Sequence, residues 1–203
     1  MKQYFLKAAL LTTLIFFTCC ATAQLLNKDA VLKVVIIRHG EKPKKGDNLS
    51  DTGLLRSMAL PAVLDTVTGK PDYTYVPTMG MGTKTTSVRM FQLVTPFAVK
   101  ENLTINSAYK EDSTTAAANN VLTRKGVVLM VWEHSNIPPL AKALVGSKLA
   151  SIVPGWNGCD FESIWILEFK KGKSGLKLLS FNIEQENIFP NATCPKPPYQ
   201  IYP

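Results

Sequence analysis

Apolar residues fall in short blocks separated by charged, Gly- and Pro-containing stretches, and the spacing inside each block predicts its structure. Val31 to Ile37 is nearly continuous in β-branched residues and reads as a strand buried on both faces. Val127 to Trp132 reads the same way, and Tyr73–Val76 and Leu103–Ile105 read as shorter strands. Ile164–Phe169 and Leu176–Ile183, joined by a Lys170–Gly175 turn, read as a β-hairpin. Between these blocks the period changes. Leu54, Leu55, Met58, Ala59, Ala62 and Val63 recur at helical spacing behind a Ser50–Asp51 cap, and Pro61 predicts a kink or split. Further helices are expected over Lys84–Val99, with a break at Pro96, from Asp112–Ser113 to Leu122, and over Ile137–Val145, where Pro138 stands at a tolerated first-turn position. Strands alternating with helices predict a three-layer α/β fold: a mostly parallel sheet, helices on both faces, and a C-terminal antiparallel hairpin. The Pro-rich tail from Pro190 is expected to be irregular.

The first residues follow a different rule. Lys2 and Lys7 precede an apolar run from Ala8 to Phe17, and Ala21-Thr22-Ala23 resembles a cleavage site, so residues 1–23 read as a secretory signal peptide. The run is shorter than the ~20 residues of a membrane span. A lipid anchor on Cys19 or Cys20 is the open alternative. Residues 24–203 then form one domain, long enough for a sizeable core. Its formal charge falls from the whole chain's +8 when Lys2 and Lys7 are removed. Without a long Lys/Arg run, nucleic-acid binding has no support, and no stable membrane span is expected after cleavage. Cys159 and Cys194 remain. In an exported chain that pair reads as a disulfide, with two buried free thiols as the alternative. No C-x-x-C or His/Cys cluster marks a metal site, and no cofactor is implied.

The chemistry gathers at the strand ends. Arg38, His39 and Gly40 follow the first buried strand directly, where open parallel sheets bind ligands. A guanidinium beside an imidazole suits an anion, and phosphate is the anion Arg grips with two hydrogen bonds. Gly40 lacks a Cβ, so the backbone there can approach a bound group. The chain has two histidines, and His134 also follows a buried strand, so the two can meet over one sheet edge.

Taken together, these pieces resemble the histidine phosphatase superfamily, the phosphoglycerate mutase-like fold. Val34 to Glu41 resembles its signature segment, and Leu49-Ser50-Asp51-Thr52-Gly53-Leu54-Leu55-Arg56 is similar to the Leu-Thr-x-x-Gly-x-x-Arg segment that follows. Thr85 to Arg89 resembles the segment of the second arginine, although it lacks the usual Ser-Pro start. Val128 to Pro138 resembles the second-histidine segment, and Trp156 to Trp165 with Gln185 is similar to the end of small bacterial members. The resemblance implies a phosphomonoesterase acting on a small phosphorylated substrate, with His39 as nucleophile and Arg38, Arg89 and His134 around the phosphoryl oxygens. It implies no metal. Ser87 and Thr85 would bond phosphate or cap the following helix. The leaving-group acid is expected from the Glu111–Asp112 loop, with Glu133 as rival. Neighbours in extended backbone point opposite ways, which counts against Glu133 if the strand continues that far. Mutase-type phosphoryl transfer, or a non-catalytic phosphate-binding module on the same fold, are the alternatives.

Overall fold

A computed structural model describes residues 29–202 of the chain. The expected signal peptide and both candidate lipidation cysteines lie outside the described residues. Among those residues, no helix is long and apolar enough to cross a membrane.

Seven strands form one sheet: β1 (Ala30–Arg38), β2 (Tyr73–Tyr75), β3 (Ile105–Asn106), β4 (Gly126–Trp132), β5 (Ser163–Gly172), β6 (Gly175–Gln185) and β7 (Gln200–Tyr202). Their order is β3-β2-β4-β1-β5-β6-β7. The β3–β2, β2–β4 and β4–β1 pairings are parallel. The β1–β5, β5–β6 and β6–β7 pairings are antiparallel. The expected mostly parallel sheet is thus evenly mixed, because the hairpin docks directly on β1 and extends the sheet from its centre. The tail, expected to be irregular, ends in β7 and pairs with β6.

Helices α1 (Asp51–Val67) and α2 (Arg89–Glu101) cover one face; α3 (Thr114–Val121) and α4 (Ile137–Val145) cover the other. Alternation along β1 serves both layers. Leu32, Val34 and Ile36 join Ala117, Val121 and Leu140, whereas Val35 and Ile37 join Leu60, Leu64, Leu93 and Phe97. β1 and β4 therefore lie at the centre of the molecule, buried on both faces as their sequences predict.

Three helix expectations change. Pro61 and Pro96 each lie inside one helix rather than splitting it. α2 starts at Arg89 and not at Lys84, because Gly80 and Thr86 pair as a β-bridge and Ser87 takes a left-handed φ of 53°. On α1 the expected apolar face is the wrong one: Leu54, Leu55 and Met58 are 56%, 59% and 65% exposed. The buried face is Gly53, Arg56, Ser57, Leu60, Leu64 and Val67. Gly53 fixes this rotation, since a Cβ there would lie 2.5 Å from the Glu41 carbonyl oxygen. The Ser50 cap holds as expected, its hydroxyl accepting from Gly53 N–H at 3.2 Å.

Candidate active site

Parallel register assembles the site. Arg38 pairs with Trp132, and His39 N–H donates to the Trp132 carbonyl at 3.1 Å, so the chains leaving β1 and β4 emerge side by side. The rings of His39 and His134 meet edge to face, with centroids 5.9 Å apart. His39 is 2% exposed. Its Nδ1 is 2.7 Å from the Gly40 carbonyl oxygen, which only accepts, so Nδ1 carries the proton and Nε2 keeps its lone pair. Burial pushes the His39 pKa down to about 4. The Gly40 hydrogen bond opposes this, while Arg38, Arg89 and His134 reinforce it. The imidazole is therefore neutral at ordinary pH.

Arg38 is buried and held from two directions. Nη1 donates to the carbonyls of Gly158 at 2.8 Å and Asp160 at 2.9 Å, and the guanidinium carbon lies 3.7 Å from the Phe161 ring centroid. Burial lowers its pKa to about 10, which leaves it charged at neutral pH. Arg89 donates from Nη1 to the Asp47 carbonyl at 3.2 Å, and its charge bears on both His39 and Arg38. The Nε atoms of Arg38 and Arg89 are both shielded from solvent without a hydrogen-bond partner. Buried donors are rarely left so.

The two candidate acids are held differently. Glu133 lies beyond β4, which stops at Trp132, so the strand-alternation argument against it does not apply. One carboxylate oxygen accepts from Ser135 N–H (2.9 Å), Asn136 N–H (3.2 Å), Asn136 Nδ2 (3.0 Å) and the Ser135 hydroxyl. The other lies 2.5 Å from His134 Nδ1. That contact is a close electrostatic pair, and it pulls the His134 pKa up. Burial pushes the Glu133 carboxyl up, but the Ser135 bonds and the neighbouring imidazoles outweigh it and hold the pKa below the usual carboxylate range. His134 is lowered by burial and by Arg38, against the pull of Glu133. Glu111 is tied to Ser87, two residues before Arg89 in the chain: its carboxylate accepts from Ser87 Oγ at 3.1 Å, and its carbonyl accepts from Trp132 Nε1 at 2.8 Å. Asp112 is exposed. Ser87 is thus engaged with Glu111 rather than capping α2, which has no side-chain cap.

Gly40 plays a different part from the one expected. A Cβ there would lie 3.1 Å from Leu49, 3.2 Å from Leu93 and 3.3 Å from Gly53, so the missing side chain admits core packing, not a ligand. Its carbonyl fixes the His39 tautomer.

Sequence reasoning gave no role to the Gly158–Phe161 turn that holds Arg38, and a turn of Gly, Cys, Asp and Phe carries no signal of one. The Cys159–Cys194 disulfide is present, with Cα atoms 5.8 Å apart. His39, Glu133 and His134 offer metal-ligand atoms within 4.8 Å of one another. Two guanidinium groups border that cluster, and a divalent cation placed there would meet their repulsion.

No protein-family model matches the chain, and no curated protein does. Solved structures do match. A mycobacterial hydrolase ("hydrolase 2") superposes with a TM-score of 0.51 at 12% identity, over 75% of this chain and 88% of that one. A mycobacterial glucosyl-3-phosphoglycerate phosphatase, solved with inorganic phosphate, superposes with a TM-score of 0.50 at 14% identity, over 75% and 95%. A phosphohistidine phosphatase homologue from Agrobacterium tumefaciens gives 0.49 at 15% identity, over 73% and 96%. The strand-end pair of histidines thus sits on a sheet arranged as in the mycobacterial hydrolases, and the chain has the histidine phosphatase, or phosphoglycerate mutase-like, fold.

Proposed function

We propose that the protein is an exported phosphomonoesterase that hydrolyses small phosphate esters through a phosphohistidine on His39. The observation that carries this reading is the free, neutral Nε2 of His39 among two unspent guanidinium donors and a second imidazole. Phosphoryl transfer needs little beyond a positioned nucleophile and charge around the equatorial oxygens. A phosphatase that binds inorganic phosphate on the same fold supports it. Export rests on the sequence of residues 1–23, and the disulfide suits an oxidising compartment.

In the first step Nε2 forms a bond to phosphorus while the ester P–O bond breaks, and the leaving oxygen takes a proton from a carboxylic acid. Arg38 and Arg89 hold the oxygens whose charge rises. In the second step water attacks phosphorus, the N–P bond breaks and His39 returns as free imidazole. Glu133, held ionised beside His134, suits orienting that ring and taking the proton of the attacking water. Glu111, tied to Ser87, is our assignment for the leaving-group acid. Enzyme quenched in alkaline detergent during turnover of a 32P-labelled ester should carry alkali-stable, acid-labile phosphate on His39, absent in His39→Ala. Full hydrolysis by His39→Ala would end the proposal.

A further inference from the structure

We propose that Phe161, on the turn stapled by the Cys159–Cys194 disulfide, is the positioning residue that aims the Arg38 guanidinium at the substrate's phosphoryl oxygens. The inference rests on the hydrolytic role proposed above for Arg38. An arginine at the end of a strand has a long side chain, and holding it in one geometry costs rotamer freedom. If that ordering took place only when substrate bound, it would be subtracted from binding. Here it is done in advance. A guanidinium is planar, so three groups suffice to fix it. The Phe161 ring covers its face at 3.7 Å, and two carbonyls take Nη1 at 2.8 and 2.9 Å. The edge carrying Nε is left without a partner. Such an edge is the one through which Arg grips an oxyanion bidentately.

The clamp is itself clamped. The two carbonyls belong to Gly158 and Asp160, the residues on either side of Cys159. Asp160 closes the turn: its carboxylate accepts from Glu162 N–H and Ser163 N–H, both at 2.9 Å, and from Ser163 Oγ at 2.5 Å. Trp156 Nε1 donates to the same Asp160 carbonyl at 2.9 Å. Phe161 is only half-buried and also lies edge-on to His39, with centroids 6.2 Å apart. One ring therefore borders both the nucleophile and the cation beside it. A ring that merely filled space could be exchanged for Leu without consequence, which separates the two roles.

The test compares Phe161→Leu, which keeps apolar bulk, with Phe161→Tyr, which keeps the ring face. Inorganic phosphate binding by calorimetry should weaken roughly three- to tenfold in Phe161→Leu and stay within about twofold in Phe161→Tyr, the span that cation–π contacts allow. This readout needs no turnover. An inactive wild type that binds phosphate in this pattern would sink the hydrolase reading and leave the positioning intact; equal phosphate affinity in both variants would overturn the positioning whatever the activity. Where the wild type hydrolyses esters, vanadate, which mimics the five-coordinate transition state, should lose more affinity than phosphate does in Phe161→Leu. In an Arg38→Ala background, Phe161→Leu should add nothing, because the ring acts through that guanidinium. Additive losses would overturn the proposal. The double variant Cys159→Ser with Cys194→Ser should reproduce the phosphate defect in part. If it fails to fold, the Phe161 comparisons still decide.

Discussion

Two buried arginines, Arg38 and Arg56, are 4% and 1% exposed, and the contrast between them separates spare donor capacity from spent. Arg56 is saturated. It donates to Glu41 from Nε at 3.1 and 3.0 Å and from Nη2 at 2.8 Å, and to Glu162 and Glu186 at 2.6 Å each. Burial opposes its charge, but the three carboxylates outweigh it and raise its pKa. One guanidinium cannot neutralise three carboxylates, and burial pushes the Glu186 carboxyl up to about 8. Among the described residues Arg38 meets carbonyls and a ring, has no carboxylate hydrogen-bonded to it, and keeps Nε unspent. Burial is the same in the two cases. What differs is whether the donor capacity has been used up inside the protein.

The sharpest way to break this contrast is to truncate both side chains. Arg38→Leu should lower kcat/KM by roughly 10²–10³, as loss of a transition-state donor does, with little change in the denaturation midpoint. Arg56→Leu strands buried carboxylates and should cost about 3–5 kcal/mol of stability, read by urea titration. Swapped outcomes would refute the comparison. Next in size is the leaving-group acid. Glu111→Gln should slow an alkyl phosphate by roughly 10²-fold, within the usual range for general acid catalysis, yet barely affect p-nitrophenyl phosphate. If Glu133→Gln shows that selectivity instead, the acid is the residue beside His134.

Smaller effects come from pH. With His39 held to about 4, kcat/KM should keep its nucleophile through pH 5 and fall only as pH approaches 4. For stability, Glu186 has its folded pKa raised above the unfolded carboxylate value. The folded state thus binds more protons between roughly 4.5 and 8, and stability from this group is full below that window and declines as pH rises through about 8. The thermal midpoint should therefore drop between pH 6 and pH 9, and Glu186→Gln should flatten the drop. An unchanged slope in that variant would remove Glu186 as the cause. The smallest expected effect is none: EDTA should leave hydrolysis intact, and recovery of lost activity by an added divalent metal would point to the His39–Glu133–His134 cluster as a working metal site.

The central strands and the two histidines were legible because a run of β-branched residues followed by polar chemistry marks a strand end wherever the strand sits. Ile137–Val145 was legible to the residue, its Pro138 marking the start. The buried face of α1 was hidden by its letters. Gly53, Arg56, Ser57, Leu60 and Leu64 keep helical spacing, but three of the five are not apolar, while Leu54, Leu55 and Met58 are apolar on the wet side. What buries Arg56 is Glu41, Glu162 and Glu186, two of them more than a hundred residues away, and no window along the chain contains them. The sheet's mixed character was hidden for a similar reason. A hairpin announces its own pairing but not the edge on which it docks. The proposed anion site was half legible: Arg38 and Arg89 stand out in the sequence, but the turn that holds Arg38 is reached only through the fold.

The parallel register between β1 and β4 also governs how the proposed activity would be lost. His39 and His134 are nearly half the chain apart, and they meet only because two strands at the centre of the sheet lie side by side. Amide protons of Val35–Ile37 and Leu129–Val131 lie in the most enclosed part of the molecule, and they should exchange with solvent only through complete unfolding. The edge strand β7, by contrast, pairs with β6 alone and lies at the rim of the sheet. A population of molecules in denaturant will thus contain intact sites and unfolded chains, with few half-built sites between them, and residual activity there counts folded molecules.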